Sequence, residues 1–329
     1  MGHTQKTLLF FIQVTIRVPN SLFAPNPRVA KMIRGLIAPI LSPFNDDLSF
    51  DQNSYNELAK TLLGSGCAGL APFGTTGEAL SISVEERKEA LDGLIASGID
   101  PSALIPGTGL CNLGESIALS QHATDLGCEG VMVLPPFYFK GVSDDGLFSY
   151  YEELIARVNR DNLRIYLYHI PQVSGVGLSI DLVNILKEKY PSIIVGIKDS
   201  SGDWENTKNL LSIDNLVVYP GSELPLIDAM KLGAPGCISA TANLNSQPIA
   251  EVIRHCEDEN WDKASALHNP VAQTRIVFQN YAPIPAQKAL LSQMTNRDSW
   301  RNVRPPLVAL TKEKTKQLQV ALDAVVTNG

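Results

Sequence analysis

The sequence predicts an α/β fold, a closed (β/α)8 TIM barrel followed by a C-terminal helical extension. Three observations carry this expectation. From residue 33 the chain repeats one pattern: a short β-branched or apolar run ending in Gly, Pro, Ser or Thr, then a longer stretch with helical spacing of apolar residues. That alternation is the mark of βα units. Eight such runs fall within about 220 residues, which fits a closed barrel better than an open sheet, whose usual strand number is smaller. Finally, no G-x-G-x-x-G follows the first strand, so a dinucleotide-binding open sheet is the weaker alternative.

The first 31 residues differ from the rest. "KTLLFFIQVTI" is a short apolar run behind one lysine, the shape of a signal h-region, but no small-residue cleavage site follows and eleven residues do not span a bilayer. Met32 stands just before the first convincing strand, so residues 1–32 read as a loose N-terminal extension or as a start codon assigned too early. The barrel occupies 33–250. Its strands are "GLIAPILSP" (35–43), "GLAPFGTTG" (69–77), "LIPGTG" (104–109), "GVMVLPP" (130–136), "RIYLYHIP" (164–171), "IIVGIKDS" (193–200), "LVVYPGS" (216–222) and "GCISATAN" (236–243). Between them lie amphipathic segments such as "SYNELAKTLLGSG", "SVEERKEALDGLIASG" and "GESIALSQHATDLGC", several closed by a glycine suited to a helix C′ position. After residue 250 the strand pattern stops. "QPIAEVIRHCEDENWDKASALHNPVAQ", "IPAQKALLSQM" and "TKEKTKQLQVALDAVVT" read as helices of an extension over 251–329.

Composition narrows the setting. A 44% hydrophobic content over 329 residues is enough for a substantial core. Lys and Arg total 27 against 34 Asp and Glu, a net charge of −7 with no long block of like charge, which argues against a nucleic-acid partner. Five scattered cysteines form no C-x-x-C and five histidines form no H-x-x-x-H, so neither a disulfide framework nor a zinc site is suggested. Most of the cysteines sit among Gly, Ala, Ile and Leu, as small core residues in a reducing compartment do, and the expected location is the cytoplasm, without a membrane partner.

Barrels of this kind do their chemistry at the C-terminal ends of the strands. Read in that way, the second strand ends in Thr75, Thr76, Gly77 and Glu78, the fourth in Phe137 and Tyr138, and the fifth in Tyr168. The sixth ends in Lys198, the seventh in Gly221 and Ser222, and the eighth around Ser239 and Thr241. Hydroxyls surround one lysine. A lysine leaving an apolar strand loses solvation as an ammonium, which favours the free amine, and a free amine attacks ketones. The protonated imine then draws electrons from the neighbouring carbon, so a C–C bond can break or form through an enamine. Such a cycle needs a proton shuttle, for which Tyr168 and Thr75 are the candidates. Each part alone has a blander reading: a strand-end lysine is more often a solvated rim charge, Tyr168 a core residue, and "GTTGE" a turn with Glu78 near a helix N-terminus. Their convergence at one end of one barrel favours the chemistry.

"GTTGEA" (74–79), "PPFYFKG" (135–141), "YHIPQVSGVGLS" (168–179), "GIKDSSGD" (196–203), "GAPGCISATAN" (233–243) and "PIPAQKAL" (283–290) resemble the dihydrodipicolinate synthase and N-acetylneuraminate lyase family, in its order and spacing, from about residue 33 to 325. The resemblance implies a metal-independent and cofactor-free class I aldolase, a carbon–carbon lyase acting on pyruvate or on a 2-oxo acid that splits to pyruvate. It matches Lys198 to the Schiff-base lysine, Tyr168 to the acid/base, and Thr75 to the proton relay. Thr76, with the backbone N–H groups of the Gly74–Gly77 turn, matches the pocket for the pyruvate carboxylate; an anion suits such donors on physical grounds too. Tyr138 matches a tyrosine passed across a subunit contact, implying a homo-oligomer, a dimer of dimers. Ile238 matches the position whose backbone carbonyl lines the pocket, and Gly221 and Ser222 fall at the substrate end.

Departures from the family pattern bear on the substrate. Dihydrodipicolinate synthases resemble "PSRTG" after the strand 5 tyrosine, whereas this chain has "PQVSG". Val173 stands in place of the arginine that holds the carboxylate of aspartate semialdehyde, and a valine cannot pair with it. "PFY" and "SGVGLS" resemble the neuraminate lyases, yet Ala240 lies where those carry a hydroxyl for the sugar chain. "PGSE" (220–223) is similar to hydroxy-oxoglutarate and keto-deoxy sugar acid aldolases. The expected reaction is reversible cleavage of a keto-deoxy sugar acid or 4-hydroxy-2-oxo acid to pyruvate and an aldehyde. The alternatives are 4-hydroxy-tetrahydrodipicolinate synthase, N-acetylneuraminate lyase, a keto-deoxy sugar acid dehydratase, a phosphosugar-binding barrel, which Glu223 disfavours by repelling phosphate, and a non-catalytic 2-oxo acid sensor.

Overall fold

The computed structural model describes residues 32–328; the expectations for residues 1–31 lie outside them. Seven strands, β1 (Gly35–Ala38), β2 (Cys67–Leu70), β3 (Val131–Val133), β4 (Ile165–His169), β5 (Ile194–Asp199), β6 (Val217–Pro220) and β7 (Gly236–Ile238), pair in parallel as two ladders, β2-β1-β7 and β3-β4-β5-β6. The expected third strand lies between the ladders. Leu104 bridges Leu70 on one side and Gly107 bridges Met132 on the other. Its backbone bonds run Ile105 N–H to Leu70 O at 2.9 Å and Met132 N–H to Pro106 O at 2.8 Å. Pro106 has no N–H to give, and Gly107 approaches Phe73 O so closely that a Cβ there would lie 2.2 Å from it. The segment therefore pairs on both sides without a regular ladder.

Between β6 and β7 no ladder joins the described residues, but the interior packing runs across the gap. Ile37, Ala71, Ile105, Met132, Tyr166, Tyr168, Tyr219 and Ile238, drawn from strands all round the ring, form one buried cluster. The Tyr166 and Tyr219 rings lie 6.0 Å apart, and Tyr219 OH donates to Ile33 O. This filled interior is that of a (β/α)8 barrel. Strands buried on both faces need no alternation, hence their continuous apolar runs.

The outer ring comprises α1 (Gln52–Gly64), α2 (Val84–Ala96), α3 (Leu113–Asp125), α4 (Asp144–Val158), the single turn α5 (Pro171–Ser174), α6 (Ile180–Lys189), α7 (Trp204–Leu211), α8 (Leu226–Lys231) and α9 (Ala242–Glu257). Side-chain caps start most of them: Asp51, Ser83 (in a capping box with Glu86), Asn112, Ser143, Ser179 and Asp203. Gly66, Gly98 and Gly127, just past α1, α2 and α3, take positive φ, as the expected C′ glycines should. Beyond α9 lie α10 (Trp261–Phe278), α11 (Pro283–Thr295) and α12 (Lys312–Asn328). The long run expected as helix from 247 to 273 breaks at Asp258–Asn260, where Glu259 has φ 55°. No helix among the described residues is long and apolar enough to cross a membrane.

The hydrogen-bonded strands are shorter than the apolar runs that predict them, most clearly at 69–77 and 236–243. The chain leaves the ladder at the barrel rim, and the surplus residues form the loops of the C-terminal face.

Candidate active site

Parallel register sets the centre of the site. Tyr168 on β4 stands opposite Lys198 on β5, which stands opposite Tyr219 on β6. Lys198 and Tyr168 are both buried. Lys198 Nζ lies 4.5 Å from the centroid of the Tyr168 ring, and Tyr168 OH lies 3.1 Å from Thr75 Oγ1. Thr75 belongs to a tight turn after β2, closed by the Glu78 N–H to Thr75 O bond at 3.2 Å and the Ala79 N–H to Gly74 O bond at 3.3 Å. Gly77 permits the turn, because a Cβ there would lie 2.8 Å from Ile40 O.

Above this centre opens a cleft of about 640 Å³ lined by Thr75, Thr76, Tyr168, Lys198, Gly221 and Ser222, with Val173 and Ala240 also on its walls. Gly221 is required for close approach: a Cβ would fall 2.0 Å from Ser200 Oγ. A smaller lobe of about 280 Å³, lined by Gly74, Met132, Leu134, Phe137, Leu307 and other largely apolar groups, shares Thr75, Tyr168, Ile170 and Val173 with the cleft. The Tyr168–Thr75 pair is thus the ridge between a polar chamber and an apolar one.

The sequence profile of the dihydrodipicolinate synthetase family matches residues 32–325. This chain belongs to that family. It is 33% identical over 295 residues to an uncharacterized DapA-like lyase of Chloroflexus aurantiacus, covering 89% of this chain and 97% of the relative. Among solved structures it superposes on dihydrodipicolinate synthase from Agrobacterium tumefaciens with a TM-score of 0.82 at 34% identity, covering 88% and 99% of the two chains. It superposes equally on YagE of E. coli K12, a family member solved in complex with pyruvate, at 27% identity over 90% and 99% of the chains.

Within this family fold not every anticipated residue lines the cleft. Ile238 ends β7 with its side chain in the interior cluster below the cleft. Tyr138 is 76% exposed, stacks edge-on against Phe139, and lines neither chamber of its own chain. Glu223 is turned inward: fully buried, it accepts hydrogen bonds from Ser239 and Thr241 while its carbonyl faces His268 Nε2 at 2.7 Å. It therefore does not present a carboxylate to the cleft, which removes the repulsion expected of it. Nor does Glu78 sit at the N-terminus of a long helix. It takes φ 51° at the head of a 3-10 turn, Ala79–Ser81, and its side chain is buried against Lys288 of α11.

That ion pair is a site feature the strand-end reasoning did not reach. Lys288 Nζ donates to Glu78 and to Asn302 O, and Arg304 N–H reaches Glu78 Oε2 at 3.3 Å. Burial pulls Lys288 down to about 8, with Glu78 opposing the shift. At the end of β4, burial also lowers His169, whose Nδ1 accepts from Leu178 N–H at 2.9 Å, while Asp199 opposes that shift. Lys288 lies within "PIPAQKAL", so the motif was visible, but a partner 210 positions away was not. Arg275 of α10 also lines the cleft. No pattern in the sequence marks it.

Proposed function

We propose that this protein is a class I pyruvate-dependent lyase that reversibly cleaves a 4-hydroxy-2-oxo acid or keto-deoxy sugar acid to pyruvate and an aldehyde. The supporting observation is the convergence of Lys198, Tyr168 and Thr75 on one point of the cleft floor. Family membership and a relative solved with pyruvate give the same direction. In this reading Thr76 and the N–H groups of the Gly74–Gly77 turn hold the C1 carboxylate. The Lys198 amine adds to C2, the C2 oxygen leaves as water, and a protonated imine forms. Loss of the C4 hydroxyl proton to Tyr168 lets the C3–C4 bonding pair move into the imine, giving an enamine and the aldehyde. Protonation at C3 and hydrolysis of the imine release pyruvate and restore the amine. Thr75 passes the proton between Tyr168 and the outside, and no cofactor or metal takes part in these steps.

Condensation with aspartate semialdehyde is the second reading, as the name of the Agrobacterium relative suggests. Val173 disfavours it, since it stands on the cleft wall 62% exposed and offers the semialdehyde carboxylate nothing. The deciding experiment is borohydride reduction in the presence of pyruvate, followed by peptide mass spectrometry. A reduced pyruvate adduct on Lys198 is expected. Folded protein that yields no adduct, beside a related aldolase trapped as control, rejects the imine mechanism and moves the weight to a 2-oxo acid sensor.

A further inference from the structure

Charge accounting picks out one residue on the cleft wall. Every arginine among the described residues has a hydrogen bond or an ion pair except Arg275. Arg275 lines the cleft, and its Nε is buried with no hydrogen-bond partner. Arg275 is partly exposed, so the rest of its guanidinium is open to water or to an anion, while the buried Nε is a donor with no protein partner, a group that native structures pair in most cases.

Its placement is set by α10. Arg275 lies seven residues after His268, two helical turns, and so on the same face. His268 Nε2 is 2.7 Å from Glu223 O in the loop after β6, so this face looks onto the barrel mouth. Lys198 and Arg275 line the same cleft. The carboxylates of the same cleft are engaged elsewhere: Asp199 accepts from Thr207 Oγ1 at 2.6 Å, Asp203 caps α7, and Asp228 lies 3.9 Å from Lys231. Among the described residues, no carboxylate lining the cleft forms a hydrogen bond or ion pair with Arg275.

We propose that Arg275 anchors a second anionic group at the far end of the substrate, so that the preferred 2-oxo acid is a dianion. Its first carboxylate lies at the Thr76 turn and its second, a carboxylate or a phosphate ester, lies against α10. The proposal rests on the lyase reading for where the first carboxylate lies. It also supplies a cation to a cleft where Val173 stands in place of the arginine that the family resemblance expects. A planar guanidinium suits either anion through two parallel N–H donors.

The test compares pyruvate with 2-oxoglutarate, which adds a terminal carboxylate, by calorimetric titration of wild-type protein and of Arg275→Met and Arg275→Lys. Loss of one charge-assisted contact predicts that Arg275→Met weakens 2-oxoglutarate roughly tenfold or more relative to pyruvate. Arg275→Lys should recover part of that difference, which a merely structural role does not require. A phosphorylated 2-oxo acid and a neutral-ended keto-deoxy sugar acid, titrated in the same way, distinguish phosphate from carboxylate. An unchanged ratio of the anionic to the neutral-ended ligands in Arg275→Met overturns the proposal. Because these are binding ratios, they stand apart from borohydride trapping on Lys198: failure to trap rejects the imine, and an unchanged ratio rejects the anchor.

Discussion

A tyrosine hydroxyl 3.1 Å from a threonine hydroxyl, with a lysine beside its ring, defines what single substitutions should do. Lys198→Ala removes the only atom in the proposed cycle able to form the imine, so trapping and turnover should both disappear; near wild-type turnover in that variant ends the hypothesis. Tyr168→Phe keeps the ring under Lys198 but deletes the proton carrier, and turnover should drop by roughly 10²–10⁴ while the borohydride adduct still forms. Val173→Arg places a guanidinium on the wall where the semialdehyde carboxylate is expected, and kcat/KM for aspartate semialdehyde should rise by roughly tenfold or more. A rate no better than wild type would show that more than one charge separates the two activities. Lys198, Tyr168 and Thr75 were legible in the sequence because each ends an apolar run, and strand ends become barrel rims. Arg275 and Lys288 were not, because a helix face shows its partner only after the helix is packed.

At the level of elements, the buried Glu78–Lys288 pair ties the C-terminal helices to the Thr75 turn. Glu78 holds its φ of 51° while its N–H closes the turn on Thr75 O, and its carboxylate is fixed by Lys288 and by Arg304 N–H. Arg304 is in turn held by Glu86 at 2.6 Å, and the cations of both Lys288 and Arg304 lie 4.5 Å from the Phe44 ring centroid. Lys288→Met leaves a buried carboxylate without its cation and should destabilise the fold by about 3–5 kcal/mol in urea denaturation. The pair also gives a pH signature. Between pH about 8, where folded Lys288 loses its proton, and its ordinary value of 10.5, the unfolded chain binds more protons, so this group alone makes stability rise with pH. Turnover should nevertheless fall as pH passes about 8, because the turn loses its cation, and Lys288→Arg should move that falling limb upward. An unmoved limb would assign it to another group. Alternation of strand and helix patterns exposed the barrel itself, while the interruption at Pro106 and the helix break at Glu259 depend on backbone contacts that periodicity does not encode.

For the whole molecule, the exposed apolar surface beside the site asks for a cover. Tyr138, Phe139 and Leu80 are 76%, 70% and 65% exposed; Leu80 lines the apolar lobe, and Tyr138 and Phe139 follow Phe137, which lines it too. A concentration of large apolar side chains around an active-site rim is unusual for a monomer and suits a two-fold contact with a second copy. The family resemblance implies that Tyr138 crosses such a contact; in that arrangement it would approach the partner's apolar lobe beside the Tyr168–Thr75 pair and extend the proton relay. Phe139→Asp should then give monomers by sedimentation, with turnover lost although Lys198 is untouched. Complementation gives the sharper reading. Lys198→Ala chains and Tyr138→Phe chains are each impaired, yet a mixed dimer pairs an intact Lys198 with an intact Tyr138 in one of its two sites. Co-refolding the two variants should recover about a quarter of wild-type activity, since half of randomly assembled dimers are mixed. No recovery, from mixtures shown to exchange subunits, would place Tyr138 outside the relay and leave each barrel to work alone.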